Sequence, residues 1–561
     1  MKFYKNIFLI TIILFFSSCK SELEVANPNQ PTLDQLTTED GILAYALGGV
    51  YYGGFKYTKS GYVDGVPGYF WAGAMGFHEA MGDVITAEAA NWFMNQIGCP
   101  DVVTLDDGTK VLNPGNPNDQ YSLVRAKNAA TQQASNPIFH EWGNMYNLNN
   151  SCNTILANVD KITFLNGNAD IKKNTLKAWA YWWKGFAYAH IGSIYYAGII
   201  NNDVNATNNT FVTKEALIAE SNSNFDKAAT ILNGLTATGD YTGVMTRIIP
   251  DFLVKGKGGI LTPAQWIRTI NTYKARNLLV NTPVASMTAA QWQTILTLTS
   301  NGVGATDLVF TARTNANGDI WSATNGVPAL KATGTVSSTG TVSTNTYRVS
   351  ERLMQDFKAG DLRLTNNFGK GNVVLGDQSR GNTMSTRWVV LDSKDGSKGL
   401  IDSATKIPTI IYSSLTANVV EWYIASSYEE NELMKAEAKI YTGDIEGGLA
   451  SIDAVRKAQG SGLKTVTGTS LTLDQTKEEL RRERRIGLLF RWLSFYDARR
   501  LGITDKTGPG RKGCVVVDKT SKVNTNATIN YNYLDYWDVP DNELFLNPAA
   551  AGSAPTSNPK K

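Results

Sequence analysis

Apolar residues recur along much of this chain at the three-and-four spacing of an α-helix, and the runs of that pattern draw its first outline. Trp142, Met145, Asn149, Cys152, Leu156 and Val159 form one stripe, and Leu176, Trp179, Ala180, Trp183, Ala187, Ile191 and Ile194 form the next. They predict neighbouring amphipathic helices, followed by a third through Leu217, Ile218, Ser221, Phe225, Ala228 and Leu232. Helix starts are marked as well. Thr262-Pro263-Ala264-Gln265 places a capping threonine, a proline at the first helical position and a glutamine at the third before Trp266, Ile267 and Ile270. Thr288 and Gln291 repeat that box before Trp292, and Thr37 with Asp40 predicts a capping pair before Ile42, Tyr45, Ala46 and Gly49.

The clearest paired element lies further on. Leu433, Ala436 and Ile440 make a stripe that Gly443 ends, Asp444 caps the next helix, and Ile445, Leu449, Ile452 and Val455 continue on its apolar face. This is the helix-turn-helix spacing of tetratricopeptide-like units, which bury their apolar faces only by stacking on one another. Between the helical runs, residues 51–136 and 302–346 are rich in Gly, Asn, Asp and Pro and read as long loops. The first is also rich in aromatics. Short β-branched runs at 388–391 and 514–517 predict a few small strands.

Composition narrows the function. The chain has 561 residues, 42% hydrophobic and 18% charged, enough apolar material for a core, which excludes disorder throughout. Lys plus Arg exceeds Asp plus Glu by only 53 against 50, too balanced for a protein that neutralises many phosphates, so nucleic acid is not an expected partner. Three histidines and four cysteines leave little for metal or nucleophile chemistry. His78-Glu79 and His140-Glu141 each open a zinc-protease pattern, but Gly82 and Asn144 stand where the second imidazole is needed. His190 sits on an apolar helix face and reads as a hydrogen-bonded core residue. Residues 508–513 match GxGxxG, yet contain Pro509 and precede a β-branched run, so they read as a turn. Asp101, Asp106 and Asp107 before Gly108 also read as a turn, without the alternation of a calcium loop.

Two charged features call for weighing. Glu79 and Asp83 lie one helical turn apart; the plain reading is a solvated surface pair, and the sharper one is the acid pair of a glycoside hydrolase. Residues 481–500 hold seven arginines, with Ile486, Leu489, Phe490, Leu493 and Tyr496 along one helical face and Glu478 set to pair with Arg482. That combination predicts an amphipathic helix docked on the scaffold through charge-paired arginines.

At the N terminus, Lys2 and Lys5 precede an apolar run over residues 7–16, shorter than the roughly 20 residues of a membrane-spanning helix. Ser17 and Ser18 lead into Cys19, the pattern of a secretory signal peptide. Phe16-Ser17-Ser18-Cys19 resembles a lipobox, with Phe16 where leucine is usual, and predicts a signal peptide over residues 1–18 with lipid on Cys19. Residues 19–31 then form an acidic tether and residues 32–561 one domain. Lipidation leaves Cys99, Cys152 and Cys514, enough for one internal disulfide at most, and Cys152 falls on an apolar stripe as a buried thiol.

Several segments together resemble the SusD/RagB family of surface nutrient-binding lipoproteins of Bacteroidota. Arg482-Glu483-Arg484-Arg485-Ile486, Arg491-Trp492, and Asp497, Arg499, Arg500 and Gly502 resemble its ERR, RW and D.RR.G segment. Leu433-Met434-Lys435-Ala436-Glu437-Ala438 resembles its LLMYAEA helix. Arg352-Leu353-Met354 through Gly360-Asp361-Leu362-Arg363 resembles its DxR turn, and Val539-Pro540, Glu543-Leu544 and Asn547-Pro548 its closing pattern. Glu22 and Glu24 after Cys19 resemble the family's surface-export signal. The resemblance implies a mainly α, SusD-like superhelix of tetratricopeptide-like helix pairs with a loop-rich ligand face and a few short strands. It implies a lipid anchor in the outer membrane, a SusC-like TonB-dependent transporter as partner, capture of oligosaccharides or peptides, and no catalytic residue, metal or cofactor.

Sugar capture needs flat aromatic faces against C–H surfaces and amides for hydroxyls. The loop regions supply both in Tyr69 and Trp71, in Asn91, Trp92, Phe93 and Asn95, and in Trp321 and Asn325, which are the expected ligand residues. Trp179, Trp182 and Trp183 are expected to pack. The alternatives to a capture protein are the surface glycoside hydrolase and a helical scaffold for protein interaction.

Overall fold

Apolar periodicity and capping residues place the helices where they form. The computed structural model describes residues 33–52, 75–87, 97–113, 118–204, 207–249, 254, 257–312, 347–367, 422–489, 491–518 and 522–560. The first helices are α1 (Glu39–Ala46), α2 (Met75–Met81), α3 (Gln120–Lys127), α4 (Phe139–Asn158), α5 (Ala169–Ile194), α6 (Lys214–Asn233), α7 (Gly239–Ile248), α8 (Pro263–Val280) and α9 (Ala289–Ser300). They are followed by α10 (Glu351–Asp356), α11 (Leu362–Asn367), α12 (Tyr428–Tyr441), α13 (Ile445–Ala458), α14 (Leu473–Gly487), α15 (Ser494–Arg500) and α16 (Asp541–Leu546). The strands are short: β1 (Ile85–Ala87), β2 (Val102–Thr104), β3 (Lys110–Leu112), β4 (Ala197–Ile199), β5 (Phe211–Thr213), β6 (Thr311–Ala312), β7 (Tyr347–Val349), β8 (Trp422–Tyr423), β9 (Arg511–Val517) and β10 (Val523–Asn530). The mainly helical expectation with a few small strands is met.

The capping boxes form as read. Thr262 and Gln265 at the start of α8, and Thr288 and Gln291 at the start of α9, exchange side-chain and backbone hydrogen bonds, satisfying two otherwise unpaired N–H groups each. For α1 the reading is off by one: Thr38, not Thr37, is the cap and accepts from the Gly41 N–H at 3.1 Å. The α12–α13 hairpin turns at Gly443, whose φ of +95° is left-handed, and Asp444 accepts from the Gly447 N–H at 2.9 Å.

Helix α5 is the central rod, packed between α4 and α6, and α14 lies on α12 and α13. Gly185 lets α6 approach: a methyl group there would sit 2.6 Å from the Phe225 ring. Trp179, Trp182 and Trp183 are packing residues, as expected. The Trp182 ring meets Trp183 at 5.0 Å and Trp266 at 5.1 Å, both edge-on, and its indole N–H donates to Thr269 at 3.0 Å. Such aromatic pairs add about 0.5–1.5 kcal/mol each beyond burial.

The region 51–136 carries more regular structure than its composition announced, since α2, α3 and β1 to β3 fall within it. Strands β2 and β3 join β10 and β9 in an antiparallel sheet of order β3-β2-β10-β9, tying residues near 103 to residues near 529. Residues 481–500 are not one helix. Helix α14 stops at Gly487, Trp492 adopts a left-handed φ of +60°, and α15 restarts at Ser494. The apolar face read across that break belongs to two helices. Cys99, Cys152 and Cys514 are buried free thiols, and burial pushes Cys152 up to about 12.

Candidate functional site

Tyr69, Trp71, Asn91, Trp92, Phe93, Asn95, Trp321 and Asn325 all lie outside the described residues, as does Cys19. The predicted strand at 388–391 does too. The structure does describe the places where those stretches leave and rejoin the scaffold. The chain enters residues 88–96 from β1 and leaves 313–346 into β7, and these strands are antiparallel partners with Ala87 opposite Tyr347. It enters 313–346 from β6 and leaves 368–421 into β8, and these also pair, with Ala312 opposite Trp422. The stretches bearing Trp92 and Trp321 therefore share one root, and the second root is shared with a third stretch.

The first root is built on Asp83. Helix α2 ends at Met81, and Asp83 takes a left-handed φ of +56° that turns the chain into β1. Its carboxylate accepts from Arg352 Nη2 at 2.7 Å, Arg352 Nε at 2.9 Å and Ser350 Oγ at 2.8 Å, while the Ser350 N–H donates to the Val84 carbonyl at 2.8 Å. Burial pushes the Asp83 carboxyl up, but Arg352, with Arg511 and Arg485 nearby, outweighs it and holds the group below its ordinary value. Arg485 donates to the carbonyls of Gly82 at 2.8 Å and Asp83 at 3.0 Å, and Arg511 donates to Gly82 at 2.9 Å. The arginine-rich helix thus docks through paired arginines, as read, and one of them clamps this turn.

The second root rests on Arg491 and Trp492. The Ile424 N–H donates to Phe310 across β6 and β8 at 2.9 Å, and Tyr273 Oη donates to the Ile424 carbonyl at 2.9 Å. Arg491 lies 4.1 Å over the Tyr423 ring and donates to Glu429 at 3.0 Å and to Ser427. The Trp492 N–H donates to Glu79 Oε1 at 3.3 Å, which links this root to α2.

Helix α2 is pinned from its other face. His78 Nε2–H and His190 Nδ1–H donate to the two oxygens of Glu141 at 3.0 and 2.8 Å, all three side chains buried. Burial raises the Glu141 carboxyl, but the two imidazoles outweigh it and hold it at about 2, while burial lowers His190. His190 is the hydrogen-bonded core histidine that its position predicted.

Glu79 and Asp83 are not the solvated pair expected from their spacing. Glu79 is fully buried and accepts from Ser494 Oγ at 3.0 Å, and Asp83 is committed to Arg352. A general acid of a glycosidase needs a raised pKa, and Asp83 is shifted the other way. Among the described residues, no group of three or more His, Cys, Asp or Glu is placed to hold a metal ion, and no helix is long and apolar enough to cross a membrane.

Residues 430–551 match the family model described as the SusD family. The structure superposes on a SusD-like protein from Bacteroides fragilis NCTC 9343 with a TM-score of 0.55 at 15% identity, covering 93% of this chain and 99% of that one. The chain is SusD-like in fold and, over its C-terminal part, in family sequence. A SusD superfamily protein from Parabacteroides distasonis ATCC 8503 gives 0.53 at 12% identity over 93% and 100% of the two chains. A SusD-like carbohydrate binding protein from Bacteroides vulgatus ATCC 8482 gives 0.51 at 16% over 92% and 98%. No curated protein matches.

In this SusD-like chain the segments that carried the resemblance are one another's ion-pair partners. Arg500 pairs bidentately with Glu437 of α12 and also with Asp497, which pairs bidentately with Arg484 of α14 at 2.9 Å. Arg363 pairs with Asp361 of its own turn and with Glu483 of α14, and Arg456 completes that cluster at 2.8 Å. A buried charge is tolerated only with its partner present, so these residues act as a set. Sequence reading missed Asp83, Ser350 and Arg511 as the lock on the first root. Arg352 lay in a recognised segment, but nothing local to it names a partner at position 83.

Proposed function

We propose that this SusD-like chain is a lipid-anchored protein of the outer-membrane surface that captures oligosaccharides without hydrolysing them and delivers them to a SusC-like TonB-dependent transporter. The observation that carries the reading is the sharing of roots. A ligand surface assembled from separate stretches of chain requires their ends to be held at fixed positions by a supporting shell. The β1–β7 and β6–β8 pairs, locked by Asp83, Arg485 and Arg491, supply that shell to the stretches bearing Trp92 and Trp321. A structural neighbour described as carbohydrate binding supports the ligand class, and the lipobox-like Phe16-Ser17-Ser18-Cys19 supports the anchor.

Calorimetric titration of the purified protein against neutral oligosaccharides and against peptides tests this reading, with Trp92→Ala and Trp321→Ala beside it. Saturable sugar binding weakened about tenfold in either variant is expected, the loss of one stacked aromatic contact. Binding of peptides alone, or sugar binding indifferent to both variants, would overturn the aromatic assignment. Release of reducing ends would overturn the absence of hydrolysis.

A further inference from the structure

A cleft of about 790 Å³, lined by none of the described root residues, opens between the C-terminal end of α8, the start of α6 and the turn after α15. That volume is in the range of small-ligand sites, roughly 300–1,000 Å³, and not that of a flat protein interface. Its walls are held rigidly. Arg499 donates to the carbonyls of Ser193 at 2.7 Å, Val280 at 2.8 Å and Asp535 at 2.9 Å, closing the C-terminal ends of α5 and α8. Tyr536 Oη donates to Asn281 at 3.0 Å, and Asn558 Nδ2 donates to Asp535 Oδ1 and the Tyr536 carbonyl at 2.8 Å each.

With those amides and carbonyls engaged, what the cleft still offers is positive charge. Lys214, Lys477, Arg499, Arg500 and Lys560 line it against two acids, Asp505 and Asp535. Arg500 is matched by Glu437 and Asp497, Lys560 by Asp505 at 3.6 Å, and Lys214 by the exposed Glu215. Among the described residues, no carboxylate lies within ion-pair distance of Lys477 or Arg499. Their charged ends rest over tyrosine faces, Lys477 Nζ 4.8 Å from the Tyr441 centroid and Arg499 4.1 Å from that of Tyr536, with Lys214 Nζ 4.8 Å from the same ring. A cation on a ring keeps most of its capacity to attract an anion.

We propose that this cleft is a second binding site of the chain, taking a short oligosaccharide that carries carboxylate groups and gripping it through Lys477 and through Lys214, whose exposed partner Glu215 a ligand carboxylate can replace, while Arg499, its N–H groups committed to the wall, adds charge without direct grip. The choice of a sugar among small anions rests on the proposed glycan capture; the choice of an anion rests on the cleft alone.

The test titrates the purified protein with trigalacturonate, neutral maltotriose and triglutamate at low and high salt, alongside a Lys477→Gln/Lys214→Gln double variant. Both lysines are partly exposed, and an unchanged Tm confirms that the variant is folded. Trigalacturonate is expected to bind saturably, to weaken about tenfold in the double variant, and to weaken with salt. Maltotriose should respond to neither. The proposal is overturned by absence of saturable trigalacturonate binding at millimolar concentration, by binding that the double variant leaves unchanged, or by triglutamate binding as tightly. Lysine-dependent trigalacturonate binding that Trp92→Ala and Trp321→Ala leave unchanged, with none of the neutral oligosaccharides bound, would support the cleft while the loop site failed.

Discussion

Asp83→Asn isolates the charge at the first loop root with almost no change of shape. Asparagine tolerates the left-handed φ of +56° as well as aspartate does, so backbone strain does not enter. What changes is the partnership with Arg352, whose Nε and Nη2 lie 2.9 and 2.7 Å from the two carboxylate oxygens in a site where the Asp83 side chain is 12% exposed. An amide accepts at one oxygen and turns an NH₂ group toward the guanidinium, leaving a buried cation half-paired, which costs about 3–5 kcal/mol. With an unfolding entropy of about 2.1 cal/mol/K per residue, a chain of 561 residues would lose only about 2.5–4 °C in Tm if it melted as one unit. Hydrogen exchange is therefore the more telling assay. The Ser350 N–H, bonded to the Val84 carbonyl, should lose protection far more than the amides of α5. Acid titration supplies an independent check. The Asp83 carboxyl is held below its ordinary 3.8 in the folded chain, so its contribution is present above about pH 4 and is lost as pH falls below that. The variant should lack this part of the acid limb. Unchanged protection at Ser350, together with an acid limb like that of the parent, would refute the root argument.

Glu141→Gln should cost about 3–5 kcal/mol at neutral pH, because one of His78 and His190 loses its acceptor. The folded Glu141 carboxyl sits at about 2 against an ordinary 4.5, so the gap between parent and variant, followed by denaturant titration, should narrow as pH drops from 4.5 toward 2. Gly443→Ala forces a methyl-bearing residue to φ +95° with no neighbour to clash, so a loss of about 1–2 kcal/mol from backbone strain alone is expected in denaturant melts. Native protein should keep Cys99, Cys152 and Cys514 from a thiol reagent at pH 8 and release all three on denaturation; rapid native labelling of Cys152 would contradict its burial.

The helices of this chain were legible because their determinants are local. The capping boxes of α8 and α9, the stripe through Trp179 and Trp183, and the Gly443–Asp444 turn each involve residues within a few positions of one another. The misreadings came where a local pattern was carried too far. The apolar face drawn through residues 481–500 ran across the left-handed Trp492, and the Glu79 and Asp83 spacing hid that partners from distant segments bury them both.

What the sequence determined by itself was the inventory: which segments are helical, where they are capped, and that so many arginines in apolar company must be paired. The pairing itself was decided only in three dimensions. Arg352 finds Asp83 across 269 positions, Arg485 finds Gly82 across 403, and β1 meets β7 with helices α3 to α9 between them in the chain. The cost of burying a charge dictates that each has a partner, but it is indifferent to which residue supplies it. The loop roots, and the cationic cleft behind Arg499, come into being only when the folded helices bring those distant residues to one place.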